Sequence, residues 1–383
     1  MKNNYEVAVI GGGIQGAGVA QACAAAGYST VIIEQSDWAA GTSSKSSKLI
    51  HGGLRYLETA QISLVWQSLK ERNTLLKIAP DLVKPLEFII PVYKHTKRRP
   101  WELRAGLYLY SLLTGLSSLS RFKCIPSNNL LRQKNLQTTF SYWDAQTDDR
   151  LLTRAVINSA CELGASTLRP VKLISAAKTG TGYQLSIGNQ KGPQTIHCQF
   201  LINCAGPWIN YVMDTISPKP TQQAIDLVKG SHLILNEQIS DKAFYLESPI
   251  DQRAVFLLPW QGQTLLGTTE GPFNDDPNNV TVSACEIDYL LSTADYYFPN
   301  INTTIIDQFA GLRVLPTGTS TAFTRPRECI LHQEKSHPRL LSLYGGKLTT
   351  YRYTSQQAMK AVKKALGKRK VIANTAKTKL TMP

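Results

Sequence analysis

The feature that most constrains the fold is a strand–glycine turn–helix unit at the start of the chain. The apolar run YEVAVI is followed by a glycine-rich segment from Gly11 to Gly18, and a helix of small residues then extends as far as Ala26. A second apolar run, TVIIE, ends at Glu34. Strand, turn, helix and strand in this order indicate a βαβ unit, and therefore a parallel sheet that is buried on both faces.

The glycines of this unit match a pattern that binds dinucleotides. Gly11, Gly13 and Gly16 satisfy GxGxxG, which allows a tight turn, close approach of a pyrophosphate and close packing of helix on strand. The helix N-terminus presents free N–H groups to the phosphates. Glu34 lies at the expected distance to accept hydrogen bonds from a ribose, and it would repel the 2′-phosphate of NADP. The unit predicts a dinucleotide site but does not by itself distinguish FAD from NAD.

Two kinds of pattern alternate along the rest of the chain. The α/β pattern returns with a helix predicted from Leu151 to Leu163, then FLINCAGPW, and again in LLSLYGGKLTTYRYTSQQAMKAVKKAL near the end. Four short runs, SHLILNE, KAFYLES, RAVFLLPW and TLLGTTE, are typical of neighbouring strands in an antiparallel sheet. We therefore predict an α/β fold with an inserted cap. Residues 1–68, 149–213 and 328–368 form a discontinuous dinucleotide domain, 69–148 and 214–327 a cap or substrate domain, and 369–383 a tail.

Two further segments have the composition of helices. Between residues 59 and 79, apolar side chains at helical spacing predict an amphipathic helix that ends before Pro80; they are Ile62, Val65, Trp66, Leu69, Leu75 and Leu76. Residues 94–123 combine basic ends with Trp101, Tyr108, Tyr110 and a leucine-rich middle. Such a helix can lie in a membrane interface, or it can pack on the cap with basic flanks.

Cysteine usage, apolar stretches and net charge limit the cellular compartment and the ligands that are expected. The seven cysteines form no CxxC pair, which favours free, buried thiols in a reducing compartment and argues against a metal cluster or a disulfide framework. The N-terminus has no signal-peptide pattern, and no apolar stretch has the roughly 20 residues that a membrane span needs. The net charge of +15 suits an anionic ligand or an anionic membrane surface, or simply a basic surface.

Several segments, in a fixed order over about residues 5–360, resemble the FAD-dependent glycerol-3-phosphate dehydrogenases of the aerobic, membrane-associated type. They are SSKLIHGGLRYLE, FLINCAGPWIN, VKGSH, LLPW, GTTE, GLRVLP, FTRPRE and YGGKLTTYR. The resemblance implies a glutathione-reductase-like FAD domain of Rossmann type with an antiparallel-sheet cap. It also implies oxidation of sn-glycerol 3-phosphate to dihydroxyacetone phosphate, with hydride transfer to flavin N5 and electrons passed to membrane quinone. No metal and no nucleic-acid partner are expected.

The FAD site is expected along the glycine turn, the Ser- and Thr-rich segment 41–58, the loop after FLINCAGPW, and a helix predicted to begin near Leu348. The residues expected to contact FAD are Gly11, Gly13, Ile14, Gly16, Glu34, Thr42, Ser43, Ser44, Ser47, Lys48, Leu49, His51, Gly52, Gly53, Ala205, Gly206, Trp208, Gly346, Lys347, Leu348 and Thr349.

The substrate site is expected to be cationic, because arginine and lysine suit a phosphate group. The resemblance implies that Arg55, Tyr56, Arg325 and Lys347 hold the phosphate and orient the triose, and that Arg313 lies beside the reacting oxygen. His51 and His232 are both candidates for the base that takes the hydroxyl proton, since a neutral histidine can accept one. The sequence does not choose between them.

The resemblance also raises points that the residues leave open. Bacterial relatives usually carry a further helical domain after the FAD domain, whereas this chain ends at residue 383. The expected location is cytoplasmic, peripheral on the inner face of the cell membrane, with the basic segment KAVKKALGKRK (360–370) as a second contact. The oligomeric state stays open. Alternative functions are a glycerol-3-phosphate oxidase that uses oxygen, an amino-acid-oxidase-type flavoenzyme that acts on an amine or 2-hydroxy acid, and an FAD-binding sensor or adaptor without turnover.

Overall fold

The computed structural model describes residues 2–57, 61–115, 119, 121–127, 129–189, 192–318 and 328–383. The strands are β1 (Asn4–Ile10), β2 (Thr30–Ile33), β3 (Leu49–Ile50), β4 (Val83–Tyr93), β5 (Lys123–Ile125), β6 (Leu136–Thr147), β7 (Ser166–Leu168), β8 (Lys172–Lys178), β9 (Tyr183–Asn189), β10 (Gly192–Asn203), β11 (Ile216–Ser217), β12 (Ile225–Leu235), β13 (Ala243–Glu247), β14 (Ala254–Trp260), β15 (Gln263–Gly267), β16 (Gly271–Phe273), β17 (Ile305–Pro316), β18 (Ile330–His332) and β19 (Leu340–Tyr344).

The α-helices are α1 (Ile14–Ala25), α2 (Ile62–Ile78), α3 (Pro100–Leu113), α4 (Asp149–Glu162), α5 (Ile209–Asp214), α6 (Ala284–Tyr297) and α7 (Tyr351–Leu366). One-turn 3₁₀ helices cover Thr42–Ser44, Leu54–Leu57, Gly206–Trp208 and Pro277–Asn279. Within the described ranges, no helix combines the length and the apolar character needed to cross a membrane.

The first sheet is built around parallel strands in the order β7-β2-β1-β10-β19, which confirms the parallel βαβ beginning. Val7 and Val9 face a core shared with α1 and α7, and Ala8 and Ile10 face a core shared with β8 and β9. Both faces of the sheet are covered, so successive residues of β1 pack alternately into one core and the other. The whole strand can therefore be apolar. The sheet takes β1, β10 and β19 from three distant parts of the chain.

The second sheet has the order β16-β12-β15-β14-β13-β4-β6-β3. β12, β15, β14 and β13 pair antiparallel, as the four short runs predict. β13 also pairs parallel with β4, which brings the two parts of the cap into one sheet. The domain boundaries given above stay predictions, and we note that β3, inside residues 1–68, pairs with β6 of this second sheet.

The amphipathic helix near residue 60 is confirmed as α2, but its buried face differs from the predicted one. Ile62 and Trp66 are 45% and 50% exposed, whereas Glu71 and Arg72 are buried. Both charged residues find partners inside the protein: Glu71 pairs with Arg352 and Arg72 with Asp144. Because each of these charges is paired, both side chains can be buried on a helix face that is otherwise largely apolar.

The polar tail predicted at 369–383 makes specific contacts with the rest of the chain. The backbone N–H groups of Ile372 and Ala373 donate to the carbonyl oxygen of Ala25, at the end of α1. Leu380 is only 2% exposed, and its N–H donates to the carbonyl oxygen of Ile78. The tail is therefore packed against the ends of α1 and α2, because one buried leucine and a few backbone hydrogen bonds suffice without apolar periodicity. The cysteines are all free; Cys23, Cys198 and Cys204 are buried, whereas Cys124, Cys161 and Cys285 are exposed.

Candidate active site

One large cavity lies between the two sheets. Its volume is about 1350 Å³, and it is lined by the first turn of α1, the end of β2, parts of segment 40–51, residues 204–208, strand β17 and residues 345–349. Pockets for drug-sized ligands usually measure about 300–1000 Å³. This cavity therefore has room for an extended dinucleotide.

The glycine turn between β1 and α1 forms one wall of the cavity. Gly11 has a φ of +106°, which favours glycine, and a Cβ atom there would overlap the carbonyl group of Cys204. A Cβ atom on Gly16 would overlap the carbonyl oxygen of Gly11, so glycine lets α1 approach the sheet. α1 begins at Ile14 and has no acidic residue in its first turn. Its N-terminus can therefore stabilise the negative charge of a phosphate group.

Glu34 follows β2 and lines the same cavity. One oxygen of its carboxylate accepts the N–H of Gly12 at 2.7 Å, and the other accepts the N–H of Ser36 at 2.8 Å. A carboxylate oxygen has two acceptor positions. The glutamate can thus hold the glycine turn and still accept the hydroxyl groups of a ribose.

The serine-rich segment before β3 contains both lining residues and supporting residues. Ser43 lines the cavity and its Oγ accepts the N–H of Ile14 at 2.8 Å. Lys48 instead forms a buried ion pair with Asp149 at 2.6 Å and donates to the carbonyl oxygen of Ser44. Among the residues expected to contact the cofactor, those outside the cavity lining are Gly16, Ser44, Lys48, Gly52 and Gly53.

Residues 345–349 pass along the cavity as a turn. Gly345 and Gly346 have φ values of +75° and +105°, and α7 begins only at Tyr351. The prediction that a helix begins near Leu348 is therefore wrong by three residues, because these glycines and the turn after them delay the helix. Thr349 lines the cavity, and its Oγ1 accepts the N–H of His51 at 3.1 Å.

At one end the cavity opens into a second chamber of about 100 Å³. Six residues line both spaces, and we call them the neck: Ser47, Leu49, His51, Tyr56, Thr268 and Arg313. The chamber beyond is lined mainly by aromatic and polar side chains, which include Phe88, Tyr142, Tyr245, Arg253, Phe256 and Glu270. The two neck residues that lie on strands, Leu49 of β3 and Arg313 of β17, both belong to the second sheet. Sequence analysis selected His51, Tyr56 and Arg313 for the substrate or its proton, and Ser47, Leu49 and His51 for the cofactor. It did not select Thr268.

His232 lies in the cavity wall beside the neck. Its Nε2 is 2.9 Å from the Oγ of Ser47, and its ring stacks on Phe309 with centroids 4.9 Å apart. Among the described residues, Nδ1 has no hydrogen-bond partner. Burial, together with the charges of Arg313 and Lys48, lowers the pKa of His232 to about 3. The ring is therefore neutral at physiological pH.

Cationic side chains converge on the same region. The Nζ of Lys347 lies 3.9 Å from the centre of the Tyr56 ring, a cation–π contact. Arg313 Nη1 lies 3.4 Å from Glu270 Oε1. The backbone of Arg55 lies in the 3₁₀ helix Leu54–Leu57, but its side chain and the whole of Arg325 lie outside what the structure describes.

A buried polar network that sequence analysis missed lies behind the neck. Asp144 accepts hydrogen bonds from Arg72 Nη1 at 2.6 Å, from the Tyr110 hydroxyl at 2.8 Å and from the Gly52 N–H at 3.2 Å. Burial holds the pKa of Asp144 above its usual value, although Arg72 and these hydrogen bonds oppose the shift. Arg72 follows Val65 and Leu69 at helical spacing, so a charge within an apolar stripe was the signal in the sequence.

Comparison with known proteins agrees with this geometry. Residues 6–352 match the family described as FAD dependent oxidoreductase. The chain is 36% identical to a glycerol-3-phosphate dehydrogenase of Pseudomonas aeruginosa, over 93% of this chain and 71% of that protein. It is 34% identical to a D-erythritol 1-phosphate dehydrogenase of Brucella abortus, over 93% and 73%. A solved glycerol-3-phosphate dehydrogenase from Bacillus halodurans, complexed with FAD, superposes with a TM-score of 0.76 at 26% identity, over 98% of this chain and 68% of that one.

Proposed function

Because the chain belongs to the FAD-dependent oxidoreductase family, in the group that contains bacterial glycerol-3-phosphate dehydrogenases, we propose that it oxidises sn-glycerol 3-phosphate to dihydroxyacetone phosphate. We further propose that the electrons pass from the flavin to a membrane quinone. The observation that carries the substrate assignment is the cationic region around the neck. Tyr56, with the ammonium of Lys347 on its ring, and Arg313 line the neck, and the neutral His232 lies beside it in the wall of a dinucleotide-sized cavity.

The cavity residues fit FAD. Two buried polar atoms of the lining, Trp208 Nε1 and Gln15 Oε1, have no hydrogen-bond partner within the described part of the chain. One is a donor and the other an acceptor, so both need a partner that a bound ligand can provide. The N-terminus of α1 suits the pyrophosphate and Glu34 suits a ribose. FAD, when bound, supplies the acceptor for the hydride that leaves the substrate carbon.

The protein's own groups bind the substrate and take its proton. We propose that Lys347, with Arg55 and Arg325, balances the phosphate charge, while the Tyr56 ring fixes the ammonium of Lys347. The hydroxyl proton passes to His232 or His51. The phosphate dianion of the bound substrate would raise the low pKa of His232, because its negative charge partly offsets the positive charges of Arg313 and Lys48 that oppose protonation. His232 thereby becomes a better base when substrate is present.

A longer polyol phosphate is a second candidate substrate. The chamber beyond the neck has about 100 Å³ and is lined by Glu270, Arg253 and Thr268, all of which can hydrogen-bond to a hydroxyl group. The similar protein of Brucella abortus is a D-erythritol 1-phosphate dehydrogenase. We propose that the chamber accommodates the carbons that such a substrate adds to glycerol phosphate.

We propose that the outer faces of α2 and α3, which are neighbours, contact the membrane. Such a contact would place the protein where a membrane quinone can accept its electrons. Trp101 and Tyr108 are 65% and 60% exposed on α3, and Leu112 continues the same face. Trp66 on α2 is also exposed, with Lys70 Nζ 5.1 Å from its ring centre. Exposed aromatic rings beside cations suit an anionic membrane surface. The opposite face of α3 packs on the cap. One face of the helix therefore suits a membrane surface while the other packs on the protein, as the two interpretations of residues 94–123 describe.

The deciding experiment is an anaerobic titration of the FAD-loaded protein with sn-glycerol 3-phosphate, followed by the visible absorption of the flavin. We expect bleaching at one equivalent, with glycerol, sn-glycerol 1-phosphate, amines and 2-hydroxy acids inactive. A yellow protein indifferent to sn-glycerol 3-phosphate and to D-erythritol 1-phosphate would contradict the proposed substrates. Reoxidation of the bleached protein by a soluble quinone, compared with oxygen and peroxide release, then separates a dehydrogenase from an oxidase.

A further inference from the structure

The turn Gly52–Gly53 connects two residues of the neck. His51 precedes it, and Tyr56 follows within the 3₁₀ helix Leu54–Leu57, where its N–H donates to the carbonyl oxygen of Gly53 at 2.9 Å. Gly53 has a φ of +78°, which favours glycine. The position of this turn therefore sets the positions of both side chains relative to Lys347 and His232.

The turn is held by a hydrogen bond from inside the cap. The N–H of Gly52 donates to the hydroxyl of Tyr110 at 2.9 Å and to Asp144 Oδ1 at 3.2 Å. The Tyr110 hydroxyl in turn donates to Asp144, with distances of 2.8 and 2.9 Å to its two oxygens. A Cβ atom on Gly52 would overlap the Tyr110 hydroxyl and Leu69, so the backbone packs directly on the tyrosine.

The three partners come from three separate elements. Tyr110 lies on α3, Arg72 on α2 and Asp144 on β6, and all three are buried. Arg72 Nη1 donates to Asp144 Oδ1 at 2.6 Å and to the carbonyl oxygen of Trp143 at 2.9 Å. The arginine thus fixes the carboxylate that orients the tyrosine. Asp144 also faces the chamber beyond the neck, but its oxygens accept from protein donors.

From this arrangement we propose that Tyr110, Asp144 and Arg72 are positioning residues of the active site. Through the Gly52 N–H they hold His51 and Tyr56 in place for substrate. The consequence for catalysis rests on the proposed function, whereas the fixing of the turn does not. Removing the tyrosine hydroxyl leaves the Gly52 N–H with only the longer of its two hydrogen bonds, so the turn moves more freely.

The test uses Tyr110→Phe in the FAD-loaded protein, with Tyr297→Phe as the matched control. Tyr297 is likewise a buried tyrosine, and its hydroxyl donates to the carbonyl oxygen of Glu247 at 2.6 Å in another part of the cap. Amide hydrogen exchange of residues 51–57 is measured first. We expect exchange about five- to tenfold faster in Tyr110→Phe, the effect of one lost hydrogen bond, and no change there in the control.

Steady-state kinetics with sn-glycerol 3-phosphate form the second readout. We expect the KM of Tyr110→Phe to rise about five- to tenfold with FAD content unchanged, whereas Tyr297→Phe lowers thermal stability and leaves KM alone. Unchanged exchange in residues 51–57 would show that Tyr110 does not hold the turn. A KM equal to that of the control, with faster exchange, would show that holding the turn does not matter for substrate. If the wild-type flavin is not reduced by substrate, the proposed function fails, and the exchange measurement still decides whether the turn is held as inferred. Should Tyr110→Phe not bind FAD, Asp144→Asn is used in its place and judged by the same exchange measurement.

Discussion

The Nε2 atom of His232, on a strand of the cap, lies 2.9 Å from the Oγ of Ser47, in the segment that follows the dinucleotide-binding unit. This hydrogen bond joins the two parts of the protein at the wall of the neck. Because Nδ1 has no partner among the described residues, protonation would leave a buried N–H without an acceptor, beside the charges of Arg313 and Lys48. The burial and the nearby charges that keep the ring neutral therefore also make the stability of the folded protein depend on pH.

The acid sensitivity can be measured. The pKa of His232 is lowered from 6.5 to about 3, so the unfolded chain binds the proton more readily than the folded one. Its contribution to stability is complete above pH 6.5 and is lost progressively as the pH falls towards 3. We expect the Tm of wild type to fall more steeply between pH 6.5 and pH 4 than that of His232→Gln. Parallel Tm curves would show that this histidine is not responsible.

Arg313→Ala should separate cofactor binding from chemistry. Arg313 lines the neck and its charge acts on His232, whereas the α1 turn and Glu34 lie elsewhere in the cavity. We expect FAD to stay bound and its reduction by sn-glycerol 3-phosphate to slow about 100-fold or more, the usual cost of removing a group that stabilises developing charge. Stopped-flow absorbance measures this rate. Arg369→Ala, which affects an exposed arginine paired with Glu6, is the control and should reduce at the normal rate.

Glu34→Ala should weaken FAD binding without preventing folding. The variant loses the acceptor of the Gly12 N–H and the acceptor proposed for the ribose, and hydrogen bonds to charged groups contribute about 1.5–3 kcal/mol each. We expect the Kd for FAD, measured on apoprotein by flavin fluorescence, to rise by at least about tenfold. The control Glu6→Ala removes a glutamate of β1 that also accepts a backbone N–H, from Ser29. An equal rise in Kd for both variants would argue against a specific role of Glu34.

The packed tail predicts a contrast between two nearby apolar residues. Leu380 is 2% exposed, whereas Met382 is 55% exposed. Leu380→Ala should reduce the free energy of unfolding by about 2–4 kcal/mol, because it leaves a cavity between the tail and α2. Met382→Ala should change it by less than about 0.5 kcal/mol. Denaturant unfolding of the FAD-loaded protein measures both, and equal values would mean that the tail does not stay packed in solution.

Membrane attachment through α3 can be tested by placing negative charges on its exposed face. We expect the wild type to float with liposomes that contain anionic lipid, and the double variant Trp101→Glu, Tyr108→Glu to stay at the bottom of the gradient. Ile174→Glu changes another exposed apolar residue, 49% exposed on the first sheet, and should float normally. Flotation of the double variant, or no flotation of the wild type, would remove this surface from the proposal.

How much of the site the sequence predicts depends on whether a residue's partner is local. Gly16 and Glu34 could be placed because their partners, Gly11 and Gly12, lie within the same βαβ unit of known geometry. Lys48 could not, because its partner Asp149 is 101 residues away along the chain and enters through α4. The start of α7 was missed for a different reason, since consecutive glycines permit a turn but do not specify where the helix begins.

The buried charges of α2 likewise could not be predicted from local sequence. Composition alone gives no reason to bury Arg72, and periodicity assigns Trp66 to the core in preference to it. Only the folded arrangement supplies Asp144, on β6, as a partner. Local sequence patterns therefore predict the sheets and the cofactor cavity. The residues that hold the neck in place depend on side-chain pairs, such as Arg72 and Asp144, that are brought together only by the tertiary structure.

The order of strands in the first sheet has a consequence for biosynthesis. β10 lies between β1 and β19, and residues 345–349 close the cavity wall that begins with the first glycine turn. A nascent chain can form its opening βαβ unit early on the ribosome, but it cannot enclose a flavin until residue 349 has emerged from the exit tunnel. A complete cavity wall therefore requires nearly the whole chain to have been synthesised.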